Sequence, residues 1–258
     1  MEITKHIAPH IPKGRLAFVT GAGQGNGRAI AMGLARAGAR VVVTDINAEA
    51  VSETAAEICA FGGKSWAFPL DVCSADACAV LAKRVSDDIG KIDLLVNNAG
   101  IIIREGIDSP NAAANLERTL KVNVQGTFNV THACLSQLRA TRGTVVNIAS
   151  IAAFSGIAGT IGYSPSKGAV KMLTQSLAAE LAVDGVRVNA IAPGVISTPM
   201  TESTRQAPER LAKFMARTPL ARVGDPEELV GPVVFLSSDM ASYITGVTLP
   251  VDGGFLAI

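Results

Sequence analysis

The sequence predicts an α/β fold in a single domain over residues 1–258, a doubly wound parallel sheet of about seven strands with helices on both faces. Two observations predict it. Short apolar runs alternate with stretches of helical periodicity along the whole chain. The runs are apolar throughout, as strands buried on both faces require, and such strands belong to parallel sheets. No linker-like composition, internal repeat or low-complexity tract divides the chain.

In order, Leu16, Ala17, Phe18 and Val19 form a strand that ends at Thr20, followed by a glycine cluster and a helix over 28–37. Gly38 closes that helix in the left-handed conformation open to glycine. Val41, Val42 and Val43 form the second strand, ending at Thr44 and Asp45. Residues 48–60 read as a helix and 65–70 as a strand ending at Asp71 and Val72. Ser74 caps a helix running to about Ile89. The strand over 92–96 is closed by Asn97, Asn98, Ala99 and Gly100, and one long helix over about 112–140 leads to the strand 144–148 and Ser150. A helix starting near Gly162 and a strand over 187–191 follow, then a turn at Pro193 and Gly194. After an irregular segment to about Gly224, a helix over 226–237 and a strand near 247–251 end the chain.

With 258 residues, 48% hydrophobic and 17% charged, the chain can bury a full core. A net charge of +1 and 4% aromatic residues offer neither the basic surface nor the stacking platform of a nucleic-acid binder. No apolar run reaches the length of a membrane span, and residues 1–14, with His6, His10 and two prolines, lack the apolar core of a signal peptide. Cys59, Cys73, Cys78 and Cys134 show no C-x-x-C spacing, and three histidines are too few and scattered for a metal cluster. No metal is therefore expected, and the cysteines read as buried small residues in a reducing cytoplasm.

Thr20-Gly21-Ala22-Gly23-Gln24-Gly25-Asn26-Gly27 stands between a strand and a helix. Glycines there let the backbone turn tightly and approach a pyrophosphate, whose charge the helix N-terminus stabilises. In that place the cluster reads as a dinucleotide-binding loop, the mark of a Rossmann fold. Asp45, ending the second strand, can accept hydrogen bonds from an adenosine ribose and would repel a 2′-phosphate. Neither Gln24 nor Asn26 is basic, and Ile46 follows the aspartate, so NAD is favoured over NADP.

Tyr163 and Lys167, four positions apart, share one helix face. A free phenol, with a pKa of about 10, is a poor base at neutral pH. An ammonium group nearby favours the phenolate, which lets Tyr163 exchange a proton. Pro165 fits the first turn of that helix. By spacing alone such a pair is usually a surface contact, and its weight comes from the motifs around it.

The glycine pattern at 20–27, Asn-Asn-Ala-Gly at 97–100, Asn123, Ser150 and Tyr-x-x-x-Lys at 163–167 together resemble the short-chain dehydrogenase/reductase family. Pro193-Gly194 with Thr198, and Asp252-Gly253-Gly254, are similar to its later markers. The resemblance runs from about Lys13 to the C-terminus; Asn26 departs from it, since the family more often has an apolar residue there. It implies a catalytic set of Asn123, Ser150, Tyr163 and Lys167. Tyr163 would be the acid/base, and Ser150 would hydrogen-bond the substrate oxygen. Lys167 would lower the tyrosine pKa and hold the nicotinamide ribose. Asn123, inside the long helix, would hold a water linking the lysine to solvent; a local hydrogen bond is its alternative reading. The resemblance further implies cofactor contacts from Gly21, Gln24, Gly25, Asn26, Gly27, Asp45 and Ile46 at the adenosine and pyrophosphate end. Asp71 and Val72 would border the adenine, although Asp71 could instead cap the helix begun at Ser74. Asn98, Ala99 and Gly100 would line the groove, and Pro193, Gly194, Val195, Ile196 and Thr198, with Tyr163 and Lys167, would surround the nicotinamide.

The segment 195–222 mixes Met200, Phe214 and Met215 with Arg205, Arg210, Lys213 and Arg217, a composition for a lid over the ligand. The basic residues read as the solvated side of an amphipathic helix rather than as an anion site. The expected function is an NAD-linked dehydrogenase of a secondary alcohol, polyol or sugar alcohol and its ketone, with a small-molecule substrate and no nucleic-acid or membrane partner. Reduction of 3-oxoacyl groups on a carrier protein is the alternative. Asp45 counts against it, as does Ala179 before Glu180, where those reductases have a basic residue. A dinucleotide-binding regulator without catalysis would be expected to have lost Tyr163 or Lys167. The resemblance also implies a homotetramer, paired through the helices near 112–140 and 162–181 and through the last helix and strand.

Overall fold

Period-two placement of side chains in the first strand already divides the core. In β1 (Leu16–Thr20) Ala17 and Val19 enter one apolar cluster, while Leu16 and Phe18 enter the other. Both faces are dry, so the strand is central. The structure, a computed structural model, describes residues 14–258. His6, His10 and the leader expectation lie outside the described residues.

Six further strands complete the sheet: β2 (Arg40–Asp45), β3 (Lys64–Pro69), β4 (Leu94–Asn97), β5 (Thr144–Ile148), β6 (Arg187–Pro193) and β7 (Thr248–Val251). They pair in parallel in the order β3-β2-β1-β4-β5-β6-β7. Ala17 stands opposite both Val41 of β2 and Leu94 of β4. The winding reverses between β1 and β4, and a crevice opens there at the carboxyl ends of the strands.

On one face lie α1 (Gly25–Arg36), α2 (Ala48–Ala60) and α9 (Val230–Ser237), packing Ile30, Leu34, Ile58 and Val233 on the sheet. On the other, α3 (Ala75–Asp88), α5 (Gly126–Thr141) and α6 (Tyr163–Leu181) contribute Leu81, Val85, Leu138 and Leu181. Asn47 and Ser74 cap α2 and α3 with their side chains, and Gly38 sits past α1 at φ +102°.

Several boundaries differ from the sequence expectation. The first helix begins at Gly25 instead of residue 28, because Arg28 N–H donates to the Gln24 carbonyl at 3.2 Å and closes a turn inside the glycine loop. The third strand covers Lys64–Pro69, not 65–70. The expected continuous helix over 112–140 is interrupted: α4 (Ala112–Leu120) passes through a π-turn at Lys121–Gln125 before α5. A π-turn inserts a residue and rotates the chain beyond it, and this one turns Asn123 inward, where it is 1% exposed. The last helix starts as a 3₁₀ turn, Pro226–Leu229, held by an Asp225/Glu228 capping box. Within 195–222 lie two short helices, α7 (Glu202–Arg205) and α8 (Pro208–Met215). Cys78 and Cys134 are buried as expected, but Cys59 is exposed and Cys73 half-buried, both near the ends of elements. No helix among the described residues is long and apolar enough to cross a membrane.

Candidate active site

The loop after β1 is tied to the loop after β4 by side chains. Asn98 donates through Nδ2 to the carbonyls of Thr20 and Gly21, at 3.0 and 2.9 Å. The Thr20 hydroxyl accepts from the N–H groups of Asn98 and Ala99, both at 3.0 Å. Gly27 makes the close approach possible: a Cβ there would stand 2.1 Å from the Gly21 carbonyl oxygen. Asn97 points the other way, donating to Thr131 and Asn147 at 2.9 Å, and Asn147 donates to Thr174 of α6. This buried chain couples β4, β5 and α6, which carry the chemistry.

A cleft of about 380 Å³ runs over this junction. Gly21, Gln24, Gly25 and Asn26 form its floor, and Asp45 and Ile46 stand at one end. Asp71, Val72, Asn98, Ala99, Gly100 and Thr198 line it as expected, whereas Gly27, also expected as a contact, is buried under the loop and lines neither this cleft nor the cavity beside it. Asp71 also accepts from Cys73 N–H at 2.9 Å in the turn before α3, but the cap of that helix is Ser74, so Asp71 does not cap it. Asn26, Asn98, Gly100 and Thr198 are shared with a smaller cavity of about 70 Å³ that holds Ser150, Tyr163 and Lys167, with Pro193, Gly194 and Ile196. Val195 is not brought to either: its carbonyl accepts from Gly224 N–H at 3.0 Å, and it lines a separate cavity below 194–224.

The residues present fit a dinucleotide. Gly21 and Gly25 take φ of +61° and +52°, and Asn26 holds a buried Oδ1 with no hydrogen-bond partner beside the cleft. Asp45 is pinned in place, its Oδ2 accepting from Gly23 N–H at 3.2 Å and its Oδ1 from Asn47 N–H at 3.1 Å.

At the inner end, Ser150 follows β5 and accepts from Ala152 N–H at 3.1 Å. Lys167 is 5% exposed, and its Nζ donates to the Ile148 carbonyl at 2.7 Å. Asn123 accepts from Ile101 N–H at 2.8 Å and donates to the Ile101 carbonyl and to Ser166. Its side chain is therefore a strut between the loop after β4 and α6.

Burial raises the Tyr163 phenol above its ordinary pKa; the Ser150 hydroxyl and the Arg104 guanidinium pull it back. Lys167 lies beside it on the same helix face. Its Nζ stands 5.7 Å from the Tyr163 ring centroid, and burial pushes its own pKa down to about 8. An ammonium stripped of water is disfavoured, so the lysine is charged at neutral pH and loses its charge as pH rises past that value. Sequence reasoning missed Arg104 here, and also Ile101 and Arg118 in the cleft wall, where Met200 of the expected lid segment also stands. The apolar run directly after Gly100 was the one available signal.

A glycine-lined cleft adjoining a small cavity with a tyrosine, a serine and a buried lysine is the site of an oxidoreductase of CH–OH groups that works with a nicotinamide nucleotide. The family model described as enoyl-(acyl carrier protein) reductase matches residues 21–256. The chain belongs to the short-chain dehydrogenase/reductase family. It is 39% identical over 244 residues to the 3-oxoacyl-[acyl-carrier-protein] reductase FabG of Aquifex aeolicus, covering 94% of this chain and 97% of that one. It is also 39% identical over 249 residues to the 2-dehydro-3-deoxy-D-gluconate 5-dehydrogenase of Pseudoalteromonas atlantica, covering 95% and 96%. The crystal structure of a gluconate 5-dehydrogenase from Burkholderia cenocepacia, in complex with NADP and tartrate, matches with a TM-score of 0.92 at 32% identity, covering 97% and 98%. That complex removes the ranking of NAD above NADP. Asp45 is held by two main-chain N–H groups, and its carboxylate alone does not decide between the two cofactors.

Proposed function

We propose that the protein interconverts a secondary alcohol, of the polyol or sugar-derived kind, and its ketone. The observation that carries this reading is the small cavity holding Ser150, Tyr163 and Lys167, which shares five residues with the dinucleotide cleft. The hydride is taken up or supplied by the nicotinamide of the bound dinucleotide, NAD or NADP. Ser150 orients the substrate oxygen and stabilises charge developing on it. Tyr163 takes the hydroxyl proton during oxidation and returns it to the carbonyl oxygen during reduction. Lys167 holds the nicotinamide ribose, and Asn123 positions the loop beside it. Asp45 takes the adenosine ribose, Asp71 and Val72 border the adenine, and the glycine loop takes the pyrophosphate.

The test is absorbance of the reduced nicotinamide with each cofactor over a panel of secondary alcohols, diols, sugar alcohols and sugar acids, with Tyr163→Phe as the blank. Reduction of 3-oxoacyl thioesters stands as a second reading on equal terms, favoured by the likeness to the Aquifex aeolicus enzyme. Turnover of such thioesters alone would select it. The exposed Phe128 on α5 and Met172 on α6 support assembly through these helices into a homotetramer, which light scattering would test.

A further inference from the structure

A cavity of about 580 Å³ opens between the loop bearing Arg104, the segment 155–160 and α8. Its ionised side chains are strongly unbalanced: Arg104, Arg210, Lys213 and Arg217 face it with a single carboxylate, Glu209. None of the four cations joins an ion pair among the described residues. Glu105, next to Arg104 in the chain, bonds Ser109 and Asn115 instead. The basic residues of α8 are exposed, as expected of a solvated face, but they line a cavity mouth rather than open surface.

Arg104 links this cavity to the reacting centre. It is half-buried, and its Nη2 donates to the Met200 carbonyl at 2.9 Å. Met200 also lines the small cavity with Ser150 and Tyr163. Arg104 feels both the Tyr163 phenol and the like charge of Arg210. Arg104, partly desolvated and near the like charge of Arg210 with no ion-pair partner, is destabilised there, and a bound anion offsets the cost.

We infer that Arg104 and Arg210 form a carboxylate-binding subsite, and that the substrate is a small hydroxy acid whose carboxylate lies there while its secondary hydroxyl reaches Tyr163. The planar fork of Arg104 suits a carboxylate through two parallel hydrogen bonds. The inference rests on the alcohol–ketone reading of the Tyr163 site and deepens it.

The experiment is calorimetric titration of the full chain saturated with NADH. The ligands are D-gluconate, D-galactonate and L-threonate, their alditols D-glucitol, galactitol and L-threitol, and D-glucitol 6-phosphate. At least one acid should bind about tenfold or more tighter than its alditol, as expected for a charge-assisted hydrogen bond. Arg104→Gln should remove that preference, and Arg104→Lys should restore part of it. Arg210→Gln, on an exposed helix, repeats the test should Arg104→Gln melt early. Equal binding of acid and alditol, a preference for the phosphate ester, or a ratio unmoved in both Gln variants would overturn the subsite. Binding is read without turnover, so the two readings fail separately. Acids that bind through Arg104 but are never oxidised reject the alcohol–ketone reading, whereas neutral alcohols oxidised through Tyr163 with no preference for acids reject the subsite alone.

Discussion

Lys167 Nζ donates a 2.7 Å hydrogen bond to the carbonyl of Ile148, the last residue of β5. Ser150 lies two residues beyond, so a single contact ties the helix that carries Tyr163 and Lys167 to the strand end that carries Ser150. The lysine is placed by the strand before any ligand arrives.

Replacing Tyr163 with Phe removes the proton-transfer oxygen and little else. Turnover should fall by about 10³-fold, the usual contribution of a positioned acid/base. NADH affinity, read from nicotinamide fluorescence, should change less than about threefold, since an affinity change of that size is under 1 kcal/mol. Undiminished turnover would remove Tyr163 from the chemistry.

Burial of Lys167 makes stability depend on pH with a definite sign. Unfolded, the lysine keeps its proton up to the ordinary value of 10.5; folded, it releases it near 8. Between these values the unfolded chain binds more protons, so this contribution to stability rises with pH from about 8 to 10.5 and is least below 8. The melting temperature of the protein minus that of Lys167→Met should therefore climb across this window. Subtraction also cancels the buried Cys134 thiol, whose raised pKa acts with the opposite sign. A flat difference would show that the lysine keeps its proton in the fold.

Asp45→Ala should raise the ratio of kcat/KM for NADP over that for NAD by about tenfold, the scale of one like-charge contact in a partly solvated site. Steady-state rates with both cofactors measure it. An unmoved ratio would place the ribose elsewhere.

Gly33 marks where α1 meets α9. A Cβ there would stand 2.2 Å from Val230 Cγ1, so Gly33→Ala should cost about 1–3 kcal/mol in urea unfolding. Adding Val230→Ala opens the space, and the double-mutant cycle should show a coupling of about 1 kcal/mol or more. Additive losses would mean that the two helices separate freely.

Much of this molecule was legible in its sequence because its signals are local. The glycine loop, Asp45 and the Asn98 turn each need particular residues at a strand end, whatever surrounds them. Tyr163 and Lys167 stand out only together with the markers that precede them, since their helical spacing alone fits a surface pair. The π-turn was not legible: residues 112–140 carry unbroken helical periodicity, and the inserted residue becomes visible only once Asn123 is held by Ile101 and Ser166. Val195 was grouped with its neighbours Gly194 and Ile196, but consecutive residues in extended chain face opposite ways, and its carbonyl turns to Gly224.

By itself the sequence determined the parallel sheet, the dinucleotide cleft at its reversal and the identities of the groups beside it. These rest on the periodicity of apolar residues and on glycines that no other residue replaces. Tertiary structure alone decided which charges act on Tyr163. Burial brought Lys167 down to about 8, and the fold added Arg104 as a further cation acting on the phenol. Desolvation and Coulomb forces depend on distances through space and on what excludes water, and neither is written in the spacing of residues along the chain.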